Sequence, residues 1–156
     1  MTDRIVAVVD PSGAERTIAS AAEFARPGTE VIALALVEYE YLGYRGGFVP
    51  LADPDEAAAA ARRAVAALER RGIRSRAAVR PVSRVGPARE VAAVASELDA
   101  AAIVADRQTF IVGGSRRAER GIRSLIRHAP CPVALTGDRT RYADRARRSP
   151  GEVCAA

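Results

Sequence analysis

The sequence has no lysine and no tryptophan, and among its 156 residues it has one histidine and two cysteines. Without lysine, the chain cannot form a phosphate-binding loop of the Gly-x-x-x-x-Gly-Lys-Ser/Thr type. One histidine and two cysteines are too few for a zinc site or a Ser-His-Asp triad. We therefore predict no catalytic residues and no metal site, and we expect a protein that is not an enzyme.

Long apolar runs and aromatic residues are also scarce. No run approaches the roughly 20 apolar residues of a membrane helix, and no secretory signal pattern is visible at the N-terminus. We therefore expect no contact with a membrane and a cytoplasmic location. Aromatics make up only 4% of the chain, but 49% of it is apolar and 28% is charged, which is typical of one globular domain built from Ala, Val, Leu and Ile.

Short apolar segments alternate with helical patterns along most of the chain. Such segments are typical of strands that are buried on both faces of a parallel sheet. Their order predicts an α/β fold, a doubly wound five-stranded parallel sheet with helices on both faces. The predicted strands span residues 5–9, 31–37, 75–82, 101–105 and 131–136.

Two segments do not follow this alternation. Residues 38–54 hold three of the four tyrosines, and we interpret this segment either as a lid that packs its rings on the domain or as a contact for a ligand or a protein partner. Residues 138–156 are polar and arginine-rich, and we expect this tail to be mostly disordered. The folded domain is therefore predicted to span residues 1–137.

Two places at the carboxyl ends of the predicted strands are candidates for binding. Ligands of doubly wound sheets lie at that edge, against helix N-termini. Asp10 follows the first strand, either as a turn-forming residue or as a hydrogen-bond acceptor for a base or a ribose. The run Gly113-Gly114-Ser115-Arg116 precedes the last helix, either as an ordinary loop or as an anion site.

Two stretches of the sequence resemble the universal stress protein (UspA-type) family. They are Ile5-Val6-Ala7-Val8-Val9-Asp10-Pro11-Ser12 and Arg127-His128-Ala129-Pro130-Cys131-Pro132-Val133. The resemblance implies an adenine nucleotide alpha hydrolase-like fold that commonly pairs as a homodimer through its last strand, here 131–136. If a nucleotide binds, the resemblance together with the anion loop implies contacts from Asp10, Pro11, Ser12, Val37, Val104, Asp106, Gly113, Gly114, Ser115 and Arg116.

The ATP-binding branch of this family carries Gly-x-x-Gly, nine arbitrary residues, and Gly-Ser/Thr opening the last helix. Counted back from His128 without gaps, the two glycines fall on Asp106 and Thr109, and the helix-opening pair falls on Glu119-Arg120. A gapped alternative places the pair on Gly114-Ser115. We favour the ungapped count, in which the phosphate-binding glycines are lost. Side chains then stand where bare backbone must approach the phosphates.

These observations lead to one interpretation and two alternatives. We expect a non-enzymatic regulatory or partner-binding module with no bound cofactor. One alternative is an ATP- or AMP-binding protein that uses the loop Gly113-Gly114-Ser115. The other is a binder of an anionic partner through the arginine-rich tail, since the net charge is +5; nucleic acid is not the partner we expect.

Overall fold

The computed structural model describes residues 3–10, 14–43, 46–82, 86–110, 115–137 and 141–143. In chain order the strands are β1 (Arg4–Val9), β2 (Glu30–Val37), β3 (Tyr39–Tyr41), β4 (Phe48–Pro50), β5 (Arg74–Pro81), β6 (Ala102–Asp106), β7 (Val133–Thr136) and β8 (Arg141–Ala143). The helices are α1 (Glu15–Phe24), α2 (Pro54–Glu69), α3 (Pro87–Glu97) and α4 (Ser115–His128).

Five parallel strands form the centre of the molecule in the order β5-β2-β1-β6-β7. The predicted doubly wound sheet is therefore confirmed. The sequence order and the spatial order differ because helical crossovers lead from each parallel strand to the next. β1 lies in the middle of this sheet, which explains why residues 5–9 are an unbroken apolar run.

The helices cover both faces of the sheet, and alternate side chains of each strand enter different cores. Val6 and Val8 point into a core shared with α3 and α4, whereas Ala7 and Val9 point into a core shared with α1 and α2. This alternation follows from the period of two in a strand. Both cores are built from small aliphatic side chains, as the low aromatic content requires.

The outermost parallel strand, β5, is the least buried. Its residues alternate between exposed and half-buried positions, whereas β1 and β6 are almost wholly buried. The polarity of the predicted strand 75–82 reflects this position at the edge of the sheet.

The other edge of the sheet carries a strand that the sequence did not predict. β8 pairs antiparallel with β7, with Ala134 opposite Tyr142. We expected residues 138–156 to be mostly disordered, and residues 141–143 differ from that expectation. Residues 138–140 and 144–156 lie outside the described part of the chain. β8 covers the backbone edge of β7 through which a homodimer was expected to form.

The segment 38–54, expected as a long loop, contains a β-hairpin. β3 and β4 pair antiparallel, with Tyr39 opposite Pro50. Its apolar side chains are exposed: Leu42, Phe48 and Leu51 retain 56%, 59% and 56% of their accessible surface. The described part of this segment therefore does not pack its large side chains onto the domain in the way that a closed lid would.

Candidate functional site

An open cavity of about 170 Å³ lies at the carboxyl ends of β1 and β2. The strand ends contribute Val9, Asp10, Leu36 and Glu38, and the hairpin, α3 and the turn after β6 contribute Leu51, Ala52, Pro87 and Thr109. The walls are mostly apolar, with a few polar groups at the edge, as is usual for a small-molecule site. The position agrees with the expectation for a doubly wound sheet.

The charged groups that line this cavity are both acidic. Asp10 and Glu38 each follow directly on a strand, and no basic side chain lines the described part of the cavity wall. Two carboxylates disfavour an anionic ligand and favour groups that donate hydrogen bonds, such as amino groups and hydroxyls. The sequence analysis named Asp10 but missed Glu38, although its place immediately after a strand is the same signal.

A buried ion pair occupies the carboxyl end of β6, next to the cavity. The Nε atom of Arg16 in α1 lies 3.0 Å from an Oδ atom of Asp106. The Asp106 side chain is 3% exposed, whereas that of Arg16 is 53% exposed. The carboxylate is therefore held inside the protein by a cation that reaches in from solvent.

The end of β7 packs closely against the same carboxylate. Thr136 is the register partner of Asp106 and is also buried, and its hydroxyl has no hydrogen-bond partner among the described residues. Gly137 follows with φ of +123°, and a Cβ atom there would lie 3.2 Å from Oδ1 of Asp106. A side chain at position 137 would therefore press on the buried carboxylate, which would have to move by a few tenths of an ångström.

A 3-10 turn at Arg107–Phe110 follows β6 where the family pattern has its first two glycines. The Nε atom of Arg107 and the Oγ1 atom of Thr109 are buried and have no hydrogen-bond partner among the described residues. Buried polar groups are normally paired with protein, water or a ligand. Thr109 also lines the cavity, so this turn after β6 forms part of the cavity wall at the ends of β1 and β2.

α4 begins at Ser115, before the pair on which the ungapped count places the opening of the last helix. In the ungapped count that pair is Glu119-Arg120, and these residues lie in the second turn of α4. Their N–H groups point to the carbonyls four residues earlier and are not free for a phosphate. The start of α4 at Ser115 lies about 7.5 Å before Arg120 along the helix axis.

The remaining predicted site residues are distributed as follows. Val37 and Val104 are 2% and 0% exposed and point into the core under α1 and α2, so their side chains do not line the cavity. The neighbouring Leu36 lines it instead, because successive side chains of a strand alternate between the faces. Pro11, Ser12, Gly113 and Gly114 lie outside the described residues. Ser115 and Arg116 open α4, and their side chains are not among those described.

His128 and Cys131 lie in positions where they contribute to the structure of the domain. Nδ1 of His128 donates a hydrogen bond to the carbonyl of Ser124 at 2.8 Å, and its Nε2 accepts one from the Arg89 guanidinium at 3.1 Å. Burial raises the pKa of the Cys131 thiol to about 11, so the thiol stays protonated and unreactive at neutral pH.

Two classes of site find no support in the described part of the chain. Its His, Cys, Asp and Glu side chains do not form a group of three that could hold a metal ion. None of its helices combines the length and the apolar character needed to cross a membrane.

The model of the universal stress protein family matches residues 1–137 of this chain. The chain belongs to this family. The match covers the parallel sheet and all four helices.

Solved structures of the family have the same fold. The universal stress protein from Archaeoglobus fulgidus in complex with dAMP is 27% identical, with a TM-score of 0.63 over 86% of this chain and 97% of that one. A family member from Burkholderia pseudomallei is 22% identical, with a TM-score of 0.60 over 86% and 95%. One from Arabidopsis thaliana with AMP bound is 13% identical, with a TM-score of 0.57 over 85% and 90%.

No curated protein matches the chain. The A. fulgidus structure shows that a relative of this universal stress protein binds an adenine nucleotide.

Proposed function

We propose that this universal stress protein is a non-enzymatic regulatory domain that does not bind the triphosphate of ATP. The observation that carries this proposal is Asp106, a buried carboxylate at the carboxyl end of β6, held by Arg16. Family members that bind ATP have a bare glycine backbone at this position. A carboxylate there repels phosphate oxygens, and its pairing with Arg16 occupies a cation that could otherwise offset the repulsion.

The cavity and the last helix support the same conclusion. Asp10 and Glu38 give the cavity a negative lining, which adds to the repulsion of a polyphosphate. The N–H groups of Glu119 and Arg120 are inside α4 and cannot bind a phosphate at the ungapped position. Each of these features disfavours a triphosphate without closing the apolar part of the cavity.

The regulatory role is supported by the position of the hairpin. Leu51 lines the cavity and is also 56% exposed, so the hairpin is both a cavity wall and an outer surface. A ligand in the cavity would contact the hairpin from inside, and a protein partner would contact it from outside. The hairpin is the surface that we assign to a partner.

Calorimetric titration with ATP and magnesium, AMP and adenosine tests the proposal. We expect ATP to bind with a Kd weaker than about 1 mM, which corresponds to a binding free energy of only about −4 kcal/mol. Micromolar ATP binding that exceeds the binding of adenosine would contradict the proposal. Such a result would direct attention to the loop Gly113-Gly114-Ser115.

A pair of variants separates the effect of Asp106 from that of net charge. Asp106→Asn removes the buried charge, and we expect it to increase the affinity for ATP relative to adenosine. Asp99→Asn is the matched control, because Asp99 precedes β6 at the opposite end of the strand and tolerates asparagine at its φ of +49°. An equal gain in both variants would show that overall charge, and not Asp106, limits the binding of ATP.

A second candidate function is the binding of adenosine or of its monophosphate, AMP. The observation in its favour is the cavity itself, whose wall includes Thr109, a residue with a buried Oγ1 atom that has no described partner. This hydroxyl could hydrogen-bond to one small polar group of a ligand, although it does not form a cradle for three phosphates. Micromolar binding of AMP together with weak binding of ATP would establish this function.

The homodimer that we predicted through residues 131–136 conflicts with β8. Pairing of two β7 edges requires β8 to leave the edge, because each backbone group can join only one ladder. We therefore expect the full chain to sediment as a monomer and the chain truncated after Gly137 to form more dimer. A dimer of equal strength in both chains would show that β7 is not the contact.

A further inference from the structure

One face of α4 carries a row of arginines that neither the cavity nor the family assignment explains. Arg120, Arg123 and Arg127 follow each other at intervals of three and four residues, and Arg116 occupies the preceding position of the same series. At 3.6 residues per turn, the four positions lie within about 60° of arc along about 16 Å of helix. We call Arg120, Arg123 and Arg127 the α4 arginine stripe.

The stripe faces solvent on the other side of the helix from the core. Ile122, Leu125 and Ile126 pack into the core beneath α3 and α4, whereas all three arginines of the stripe are exposed. The Arg123 side chain retains 79% of its accessible surface. The three positions therefore lie along one solvent-exposed line of the helix.

The neighbouring helix extends the positive surface. Arg89 of α3 reaches across to His128 at 3.1 Å and is exposed. Glu119 opposes the stripe, but its contact with Arg123 is 3.8 Å long, and the Glu119 side chain is 69% exposed. An exposed pair of this length holds its arginine only weakly against competition from another anion.

The surroundings of the stripe indicate which class of anion fits. The large apolar side chains that are exposed in the described part of the chain lie in residues 39–51 and at Val79, none of them on α3 or α4. A protein interface normally has an apolar core, which this surface lacks. α4 also has no Phe, Tyr or Trp on which unstacked bases could lie, as a single-stranded nucleic acid would require.

We propose that the α4 arginine stripe binds the phosphate backbone of double-stranded nucleic acid without reading its sequence. Guanidinium groups match phosphate oxygens in geometry and in charge. Contacts of this kind depend on counterion release, so binding weakens steeply as the salt concentration rises. This inference is independent of the cavity, and it differs from the tail-based binding considered above.

Fluorescence anisotropy with a labelled duplex of about 20 base pairs, roughly two helical turns, tests the proposal on the full chain. The stripe variant combines R120Q, R123Q and R127Q. The control variant combines R62Q, R63Q and R70Q, three exposed arginines on and just after α2, which lies on the opposite face of the sheet. Both variants lose three positive charges and keep the tail, and glutamine preserves the helix propensity. Circular dichroism verifies that both are folded.

We expect the stripe variant to bind at least about tenfold more weakly at 0.1 M salt, and the control variant to stay within about threefold of the parent chain. The slope of log K against log salt should become shallower by about 2–3 units in the stripe variant, because each phosphate that an arginine no longer neutralises reduces the slope by about 0.9.

Several outcomes would overturn the proposal. They are a parent chain that does not bind the duplex, an equal loss of affinity in the control variant, and tighter binding of the single strand of the same sequence. Binding of a labelled poly-glutamate as tightly as the duplex, with the same dependence on the stripe, would identify an acidic protein as the partner instead.

Discussion

The carboxyl ends of β1 and β6 are neighbours in one parallel sheet, but they present opposite environments. β1 ends in an open cavity with apolar walls, where Asp10 and Glu38 stand at the edge. β6 ends in a polar cluster around Asp106, with Arg16, Thr136 and Gly137 as its neighbours. The first region has room for a ligand, whereas in the second region polar and charged side chains of the protein occupy the space.

This difference shows that neighbouring strand ends of one sheet can carry physically separate environments. Each strand end has its own loop, so one can be closed while the other stays open. Here the end of β1 borders the cavity, whereas the end of β6 carries the buried carboxylate of Asp106. Substitutions at the closed end should therefore change stability more than substitutions at the open end.

Gly137→Ala should have the largest effect. The φ of +123° and the contact of the new Cβ with Asp106 should lower the free energy of unfolding by about 2–3 kcal/mol. Gly28→Ala is the control, because its φ is +89° and a Cβ there meets no atom within 4 Å, so it should cost about 1 kcal/mol. Denaturant unfolding measures both, and equal losses would show that the cluster at β6 and β7 is not closely packed.

Arg16→Gln should have the next largest effect, since it removes the positive charge that lies 3.0 Å from the buried carboxylate of Asp106. We expect a loss of about 1–2 kcal/mol, less than for a fully buried pair because Arg16 is half exposed. Arg80→Gln is the control: the Arg80–Glu97 contact is shorter, 2.8 Å, but exposed on both sides, and it should contribute less than about 0.5 kcal/mol. A larger loss at Arg80, measured by chemical denaturation at neutral pH, would refute the idea that burial of Asp106 sets the strength of the pair.

Thr136→Val tests the unpaired hydroxyl at the end of β7. Because this buried hydroxyl has no described partner, its removal should leave the unfolding free energy within about 0.5 kcal/mol of the parent value or raise it. Thr29→Val should cost about 1 kcal/mol, since Oγ1 of Thr29 accepts the N–H of Arg26 at 3.0 Å. A clear loss at Thr136 in thermal unfolding would indicate a bound water or ion that the hydroxyl holds.

Leu51→Ala at the open end should have the smallest effect on stability. The side chain is 56% exposed, so we expect a change within about 0.5 kcal/mol. Calorimetry of the folded variant should still show weaker binding of any ligand that enters the cavity, because Leu51 forms part of its wall. A stability loss above about 1 kcal/mol would place the hairpin in the cooperative core.

Local patterns predicted most of the fold and part of the site. The apolar runs and their breaks identified the five parallel strands. Asp10 was placed correctly because a residue that follows a buried strand must lie at its carboxyl end. α4 begins at Ser115, whereas counting along the family motif without gaps placed the opening of the last helix at Glu119-Arg120. A helix start is set by local backbone geometry and not by distance from a motif.

Other features depend on contacts that are distant in sequence. Arg16 and Asp106 are 90 positions apart, and nothing near either residue indicates that they pair. The pairing of β8 with β7 joins a polar tail to a buried strand, and its composition predicted no strand. Leu36 and Val37 are both apolar, and only their orientation in the folded sheet separates the cavity wall from the core.

The sequence by itself determined the class of fold and the position of the cavity edge, because the period of apolar residues and the places where strands end are local properties. Only the tertiary structure decided that the end of β6 is closed, that the hairpin exposes its apolar side chains, and that the arginines of α4 form one outward line beside Arg89. These features depend on which helix packs over which strand, and that choice results from the burial of the whole set of side chains together.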